Sequence, residues 1–157
     1  MSVEFVNYNN QYKELVEDYQ ITEEQLQFTN SPLAALELCE TDADRYPIIV
    51  FHNSQLVSFF VLHINKGVEP YSDNCNAILL RSLSTDYRHL RKGFAKSILS
   101  QLPQFIKQKF ININEIILAV NAENKTAQDL YKKIGFVDNE KRIQWRNSQQ
   151  IIMNYAL

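Results

Sequence analysis

Between Asp86 and Lys96 the chain reads Asp-Tyr-Arg-His-Leu-Arg-Lys-Gly-Phe-Ala-Lys, so Arg88, Arg91, Lys92 and Lys96 outnumber a single acid, Asp86. A strand is expected to end just before this segment and a helix to begin within it. The first N–H groups of a helix have no internal acceptor and its dipole adds partial positive charge, a combination that holds phosphate. Gly93 would let the backbone approach such a group with no side chain in the way. From this segment alone, a solvated basic helix start is the other reading. Only Gly67, Gly93 and Gly135 are glycines, where the usual share predicts about eleven. A dinucleotide fingerprint needs three clustered glycines and a Walker A loop two, so both are excluded, as is a G-x-S-x-G nucleophile elbow.

A second segment, Asn124-Lys-Thr-Ala-Gln-Asp-Leu-Tyr-Lys-Lys-Ile-Gly-Phe136, fits N-x-x-A-x-x-L-Y-x-x-x-G-F without a gap. Ala127, Leu130, Tyr131 and Ile134 fall on one face of a helix that Gly135 would end. Together the two segments, with the helix and strand expected between them, resemble the GNAT N-acetyltransferase superfamily. The motifs span Leu80 to Phe136, and the order of elements extends the resemblance along nearly the whole chain. It implies transfer of an acyl group, normally acetyl from acetyl-CoA, to an amine of a small molecule or peptide. It also implies direct transfer in a ternary complex, and neither Cys39 nor Cys75 falls where an acyl-enzyme would need it.

The same resemblance assigns coenzyme contacts to Leu90, Arg91, Lys92, Gly93, Phe94, Ala95 and Lys96. It gives the pantetheine arm to backbone groups of Leu83, Ser84 and Thr85, one N–H of which could stabilise a developing oxyanion. The family's loop usually reads Q/R-x-x-G-x-G/A; here Leu90 holds the first position and Arg91 stands where glycine is common. Arg88, Arg91 or Lys92 would supply the side-chain share of phosphate binding. Asn124 matches a coenzyme-contacting position and is equally a favoured N-cap. Tyr131 matches the general acid, which hydrogen-bonds or protonates a thiolate of pKa about 8.5. Core packing is its other reading. A lysine-like acceptor of pKa about 10.4 is roughly one part in 2500 free base at pH 7, a deficit of about 4.6 kcal/mol, so a base or water relay is useful. Glu69, Ser82, Ser84 and His63 are candidates. His52, His63 and His89 lack metal-ligand spacing, so no metal is expected.

From Glu14 to Asp44 there are nine acids and no lysine or arginine after Lys13 until Arg45. The resemblance makes this region one wall of the acceptor site, where acid would attract a cationic amine; a solvated helix face is the alternative. Phe28, near Pro32, is a candidate aromatic lid. A non-catalytic coenzyme A sensor or interaction module on the same scaffold is the competing function. Net charge −2 and the acidic first third disfavour nucleic acid as a partner. No apolar run is long enough for a membrane span. The start lacks a signal peptide's character, and two cysteines are too few for a disulfide framework. The expected protein is cytoplasmic and compatible with a homodimer.

These side chains need a scaffold. The 157 residues, 45% hydrophobic and 22% charged, suit one domain with a core. A strand is expected at Val3–Val6, then helical stretches near 10–19 and 22–38, the second interrupted by Pro32 and opened by a capping box at Thr22-Glu-Glu-Gln25. Strands at 45–51 and 55–64 form a hairpin across Asn53-Ser54. A loop with Gly67 and Pro70 leads to a strand at 76–84, in which Ile78, Leu80, Ser82 and Ser84 alternate with Ala77, Leu79, Arg81 and Leu83. A helix from Phe94, bent near Pro103, a strand at 114–120, the Tyr131 helix and strands near 136–145 and 151–157 complete the chain. This is an α+β chain of the three-layer α/β type: a mixed, mostly antiparallel central sheet of about seven strands, with helices on both faces.

Overall fold

A computed structural model describes residues 2–157. Seven strands form one sheet in the order β1-β2-β3-β4-β5-β7-β6, with five α-helices among the described residues. The chain divides into two compact units: residues up to Leu62 with Arg81–Ile98, and His63–Leu80 with Leu99–Leu157.

In the first unit, β1 (Glu4–Asn7) pairs antiparallel with β2 (Arg45–His52), setting Phe5 opposite Val50. Asn53 and Ser54 both take left-handed φ, 49° and 66°, the twist that joins two strands in a tight hairpin. β3 (Gln55–His63) is buried at every position after the first. That explains its nearly unbroken apolar run, since a strand covered on both faces needs no polar alternation. The helices are shorter than the periodicity suggests. Asn9 caps a 3-10 turn at Asn10–Tyr12, and α1 runs only from Lys13 to Glu17, leaving Tyr19 beyond it. Thr22 forms the expected capping box with Gln25 at the start of α2 (Glu23–Leu26). Pro32 does not kink a longer helix: it is the first residue of α3 (Pro32–Cys39), capped by the Ser31 hydroxyl, a position where its missing N–H is harmless. Val16, Tyr19, Ala35, Ile49, Leu56, Phe59 and Val61 form this unit's core.

β4 (Ala77–Thr85) carries residues of both units, and its Ala77–Leu80 stretch pairs in parallel with β5 (Glu115–Asn121). The alternation expected along β4 fails at Ser82, whose φ of 57° breaks the extended conformation mid-strand. The crossover between these parallel strands is α4 (Phe94–Lys109), with Pro103 inside it; that proline has no N–H for the Leu99 carbonyl. β5 pairs antiparallel with β7 (Ser148–Ala156), and β7 with β6 (Val137–Trp145). β7 begins three residues before the expected start, because the β6–β7 turn, with Arg146 at φ 55°, sets its register where polar Ser148-Gln-Gln150 gives no pattern. Between β5 and β6 lies α5 (Lys125–Ile134). Val68, Ala77, Leu79, Ile117 and Ile152 pack together in this unit.

Candidate active site

The basic segment is organised by its one acid. Asp86 is 1% exposed. Its Oδ1 accepts from the Arg88 N–H at 2.8 Å and from Arg88 Nε at 3.0 Å; its Oδ2 accepts from Arg88 Nη2 at 2.8 Å and from the Gln20 N–H at 3.1 Å. Burial alone would raise the carboxyl's pKa, but the Arg88 side chain and the two backbone donors outweigh it and hold the group below its ordinary value. Asp86 thereby caps a 3-10 turn at Tyr87–His89. The chain then passes through Leu90, Arg91 at φ 61°, Lys92 and Gly93 at φ 86°, and enters α4 at Phe94. The Ser97 N–H donates to the Gly93 carbonyl at 3.1 Å, and the N–H groups of Phe94 and Ala95 ahead of it are first-turn donors of the kind a helix start leaves without an intrahelical acceptor. Phe94 is buried, with its ring edge-on to His52 and His89 at centroid distances of 5.1 and 6.1 Å. Arg91, Lys92 and Lys96 are exposed, and Leu90 and Ala95 half-buried.

Arg88 does not fit the expectation of a phosphate ligand. Its guanidinium forks onto Asp86 and also reaches the Asp18 carbonyl at 3.0 Å and Asp18 Oδ2 at 3.1 Å. These partners raise its pKa, the Asp86 hydrogen bond most. Arg91 and Lys92 are the side chains left for an anion.

The end of β4 is tied to residues 18–25, a connection invisible in the sequence. Tyr19 and Ser84 share a buried hydroxyl hydrogen bond of 2.8 Å, Gln25 Nε2 donates to the Thr85 carbonyl at 2.7 Å, and the Ser58 and Thr85 hydroxyls lie 3.1 Å apart. The Tyr87 N–H donates to the Gln20 carbonyl at 2.7 Å and the Asp86 N–H to Val57 at 2.8 Å. Burial pushes the Tyr19 phenol up, with the Ser84 hydrogen bond opposing it. The Ser84 hydroxyl, a candidate base, is thus tied to this phenol. Leu83 and Ser82 are half-buried beside it.

The second motif forms α5 as read. Asn124 is its N-cap, Oδ1 accepting from the Ala127 N–H at 3.2 Å. Gly135 ends it at φ 123°, where an added Cβ would also lie 3.1 Å from the Tyr155 ring. Sequence reasoning missed Gln128, which is buried and whose Nε2 donates to the Asn121 and Ala122 carbonyls, each at 3.0 Å, fastening the helix start to the end of β5. The Tyr131 ring lies 5.9 Å from that of Phe136, which in turn is 5.3 Å from Tyr155. Tyr131 therefore packs, but among the described residues its hydroxyl has no hydrogen-bond partner. Burial pushes its pKa up to about 12.

Two further candidate bases, His63 and Glu69, belong to the second unit. His63 is 3% exposed with its ring against Gly67, where any Cβ would collide with it. Gly67 is thus not the ordinary loop glycine its context suggests: a close approach requires it. Glu69 is exposed, lining an open pocket with Lys66, Ser72 and Asp73. Phe28 is half-buried just after α2. Among the described residues no three His, Cys, Asp or Glu side chains cluster as metal ligands, and no helix is long and apolar enough to cross a membrane.

The profile of the acetyltransferase (GNAT) family matches residues 8–136, spanning both motifs. The chain belongs to that family. Over 143 residues, 90% of this chain and 89% of the relative, it is 36% identical to the uncharacterized N-acetyltransferase YbbJ of Bacillus subtilis (strain 168). The GNAT fold recurs in aminoglycoside acetyltransferase AAC(6')-Ib in complex with coenzyme A and kanamycin, with TM-score 0.79, 13% identity, and 99% and 95% of the two chains covered. A spermidine N-acetyltransferase SpeG chimera from Vibrio cholerae and hSSAT gives TM-score 0.72 and 19% identity, with 99% and 96% covered. As a GNAT acetyltransferase, the chain is an enzyme.

Proposed function

We propose that this enzyme is a single catalytic domain that acetylates a cationic amine by direct attack on acetyl-CoA in a ternary complex. The observation that carries the reading is the loop Leu90–Gly93: Arg91 and Gly93 both take left-handed φ immediately before the first N–H groups of α4, those of Phe94 and Ala95. An irregular loop of this kind followed by a helix start is a backbone anion cradle. The pyrophosphate would lie on the N–H groups from Arg91 to Ala95, with Arg91 and Lys92 supplying charge. Because the Thr85 carbonyl already accepts from Gln25, the pantetheine arm would rely chiefly on backbone groups of Leu83 and Ser84. Asn124 would add its amide N–H groups, its Oδ1 being engaged as the cap.

Tyr131 would act on the departing thiolate. A phenol at about 12 protonating a thiolate whose thiol has a pKa of about 8.5 is uphill by about 5 kcal/mol. Its role is therefore a strong hydrogen bond to the developing thiolate, with the final proton coming from solvent or the ammonium. The missing internal partner for its hydroxyl supports this.

A cationic acceptor is supported by Glu14, Glu17, Glu23, Glu24, Glu37 and Glu40, all exposed and in no ion pair among the described residues. Kanamycin and spermidine, named with the structurally similar enzymes, are polycations. Cys39 and Cys75 are free thiols, as suits a reducing cytoplasm.

The test is coenzyme A release from acetyl-CoA across a panel of cationic, neutral and anionic amines. Wild type should turn over cationic amines preferentially, and Tyr131→Phe should keep the fold and lose about 10²- to 10⁴-fold in kcat. Preference for neutral or anionic amines would sink the acceptor assignment. Unchanged kcat would remove Tyr131 from the chemistry. Thermal stabilisation by coenzyme A with no turnover of any amine would favour a sensor.

A further inference from the structure

Arg88 connects two segments far apart in sequence. On one side its Nε and Nη2 fork onto the buried Asp86 carboxylate at 3.0 and 2.8 Å, the bidentate geometry that fixes a guanidinium in a plane. On the other, the same Nη2 holds the Asp18 carbonyl and carboxylate at 3.0 and 3.1 Å. Backbone bonds run parallel to this bridge: Gln20 N–H to Asp86 Oδ2 at 3.1 Å and Tyr87 N–H to the Gln20 carbonyl at 2.7 Å. Asp86 and Arg88 lie at the mouth of the loop in which Arg91 and Gly93 hold left-handed φ. A loop that must adopt such a conformation binds more weakly if it is ordered only when its ligand arrives.

We propose that Asp18, Arg88 and Asp86 form a clamp that holds the coenzyme loop against residues 18–25, so that Asp18, an acid, is a positioning residue for binding the polyanionic coenzyme A. The proposal rests on the acetyltransferase reading. It makes a counter-intuitive claim about sign. If Arg88 were itself a phosphate ligand, Asp18 would compete for it, and neutralising Asp18 would tighten coenzyme binding. If the three residues are a clamp, neutralising Asp18 weakens it.

The experiment measures the Kd of coenzyme A by calorimetry, without any amine, for wild type, Asp18→Asn, Arg88→Gln, Asp86→Asn and the charge control Asp73→Asn, each with a thermal melt. The Asp18 side chain is 69% exposed, so Asp18→Asn should fold even where the buried Asp86→Asn does not. The expected result is binding weakened about two- to fivefold by Asp18→Asn, the range of an exposed ion pair, more strongly by Arg88→Gln, and not by Asp73→Asn. Unchanged or tighter binding by Asp18→Asn would overturn the clamp, as would a lowered melting temperature with unchanged Kd. Wild type that binds no coenzyme A would overturn the acetyltransferase reading and the clamp with it; firm wild-type binding that Asp18→Asn leaves untouched overturns the clamp alone.

Discussion

Arg91 holds φ 61° in the loop position where the resemblance leads one to expect glycine. For an L-residue the left-handed region costs about 1–2 kcal/mol, because Cβ crowds the following carbonyl. Glycine would remove that strain but leave the unfolded chain more freedom, which returns about 0.5–1 kcal/mol. Arg91→Gly should therefore raise stability by up to about 1 kcal/mol, read as a higher denaturant midpoint with an unchanged slope. Arg91→Ala, which keeps the strain, should not. A loss of stability in Arg91→Gly would mean that the arginine side chain contributes packing the backbone conformation does not reveal. Coenzyme affinity separates the parts of the cradle: if the N–H groups hold the pyrophosphate, both variants lose only the modest share that one exposed charge supplies.

At the level of elements, the proposed function gives two roles to Asn124, the residue that opens α5. Its Oδ1 caps the helix through the Ala127 N–H, while its amide N–H groups would serve the coenzyme. Asn124→Ala removes both and should cost about 1 kcal/mol of stability. Asn124→Asp keeps the acceptor, so its melting temperature should hold while coenzyme A affinity falls; retained affinity would reduce Asn124 to a cap. This helix, its cap and its terminal Gly135 were legible in the sequence because each signal lies within a dozen residues. So were the hairpin at Asn53-Ser54 and the capping box at Thr22. The lengths of α1 and α2 were not, because a 3-10 turn and an apolar residue past the helix end imitate helical spacing. Nor was the web around Ser84, Thr85 and Asp86, whose partners in residues 18–25 lie 60 to 66 positions away. Tyr19 reads as one more apolar residue until a fold puts Ser84 beside it, and nothing local marks Gly67 until the His63 ring covers it.

Across the whole molecule, net charge −2 conceals an acidic N-terminal third and a basic coenzyme loop, and the pH behaviour of the two can be kept apart. Asp86, held below its ordinary pKa, contributes stability that is present above the unfolded carboxyl's value of about 3.9 and is lost as pH falls through its lower folded value. Tyr19 and Tyr131, both raised, contribute stability that is present below about pH 10 and is lost as pH climbs from there through their folded values. Between pH 6 and 9 none of these three groups changes charge, so their titration does not shape the rate in that window. Ser84 is hydrogen-bonded to Tyr19 and the His63 ring lies against Gly67. If no protein base acts, only the free amine attacks, and log kcat/KM for an amine of pKa near 10 should climb with unit slope, about tenfold per pH unit. A plateau setting in near pH 6 to 7 would instead reveal a titrating base. His63→Gln would then decide whether it is that histidine: a restored unit slope would assign it, and a persistent plateau would direct the search to the acceptor wall.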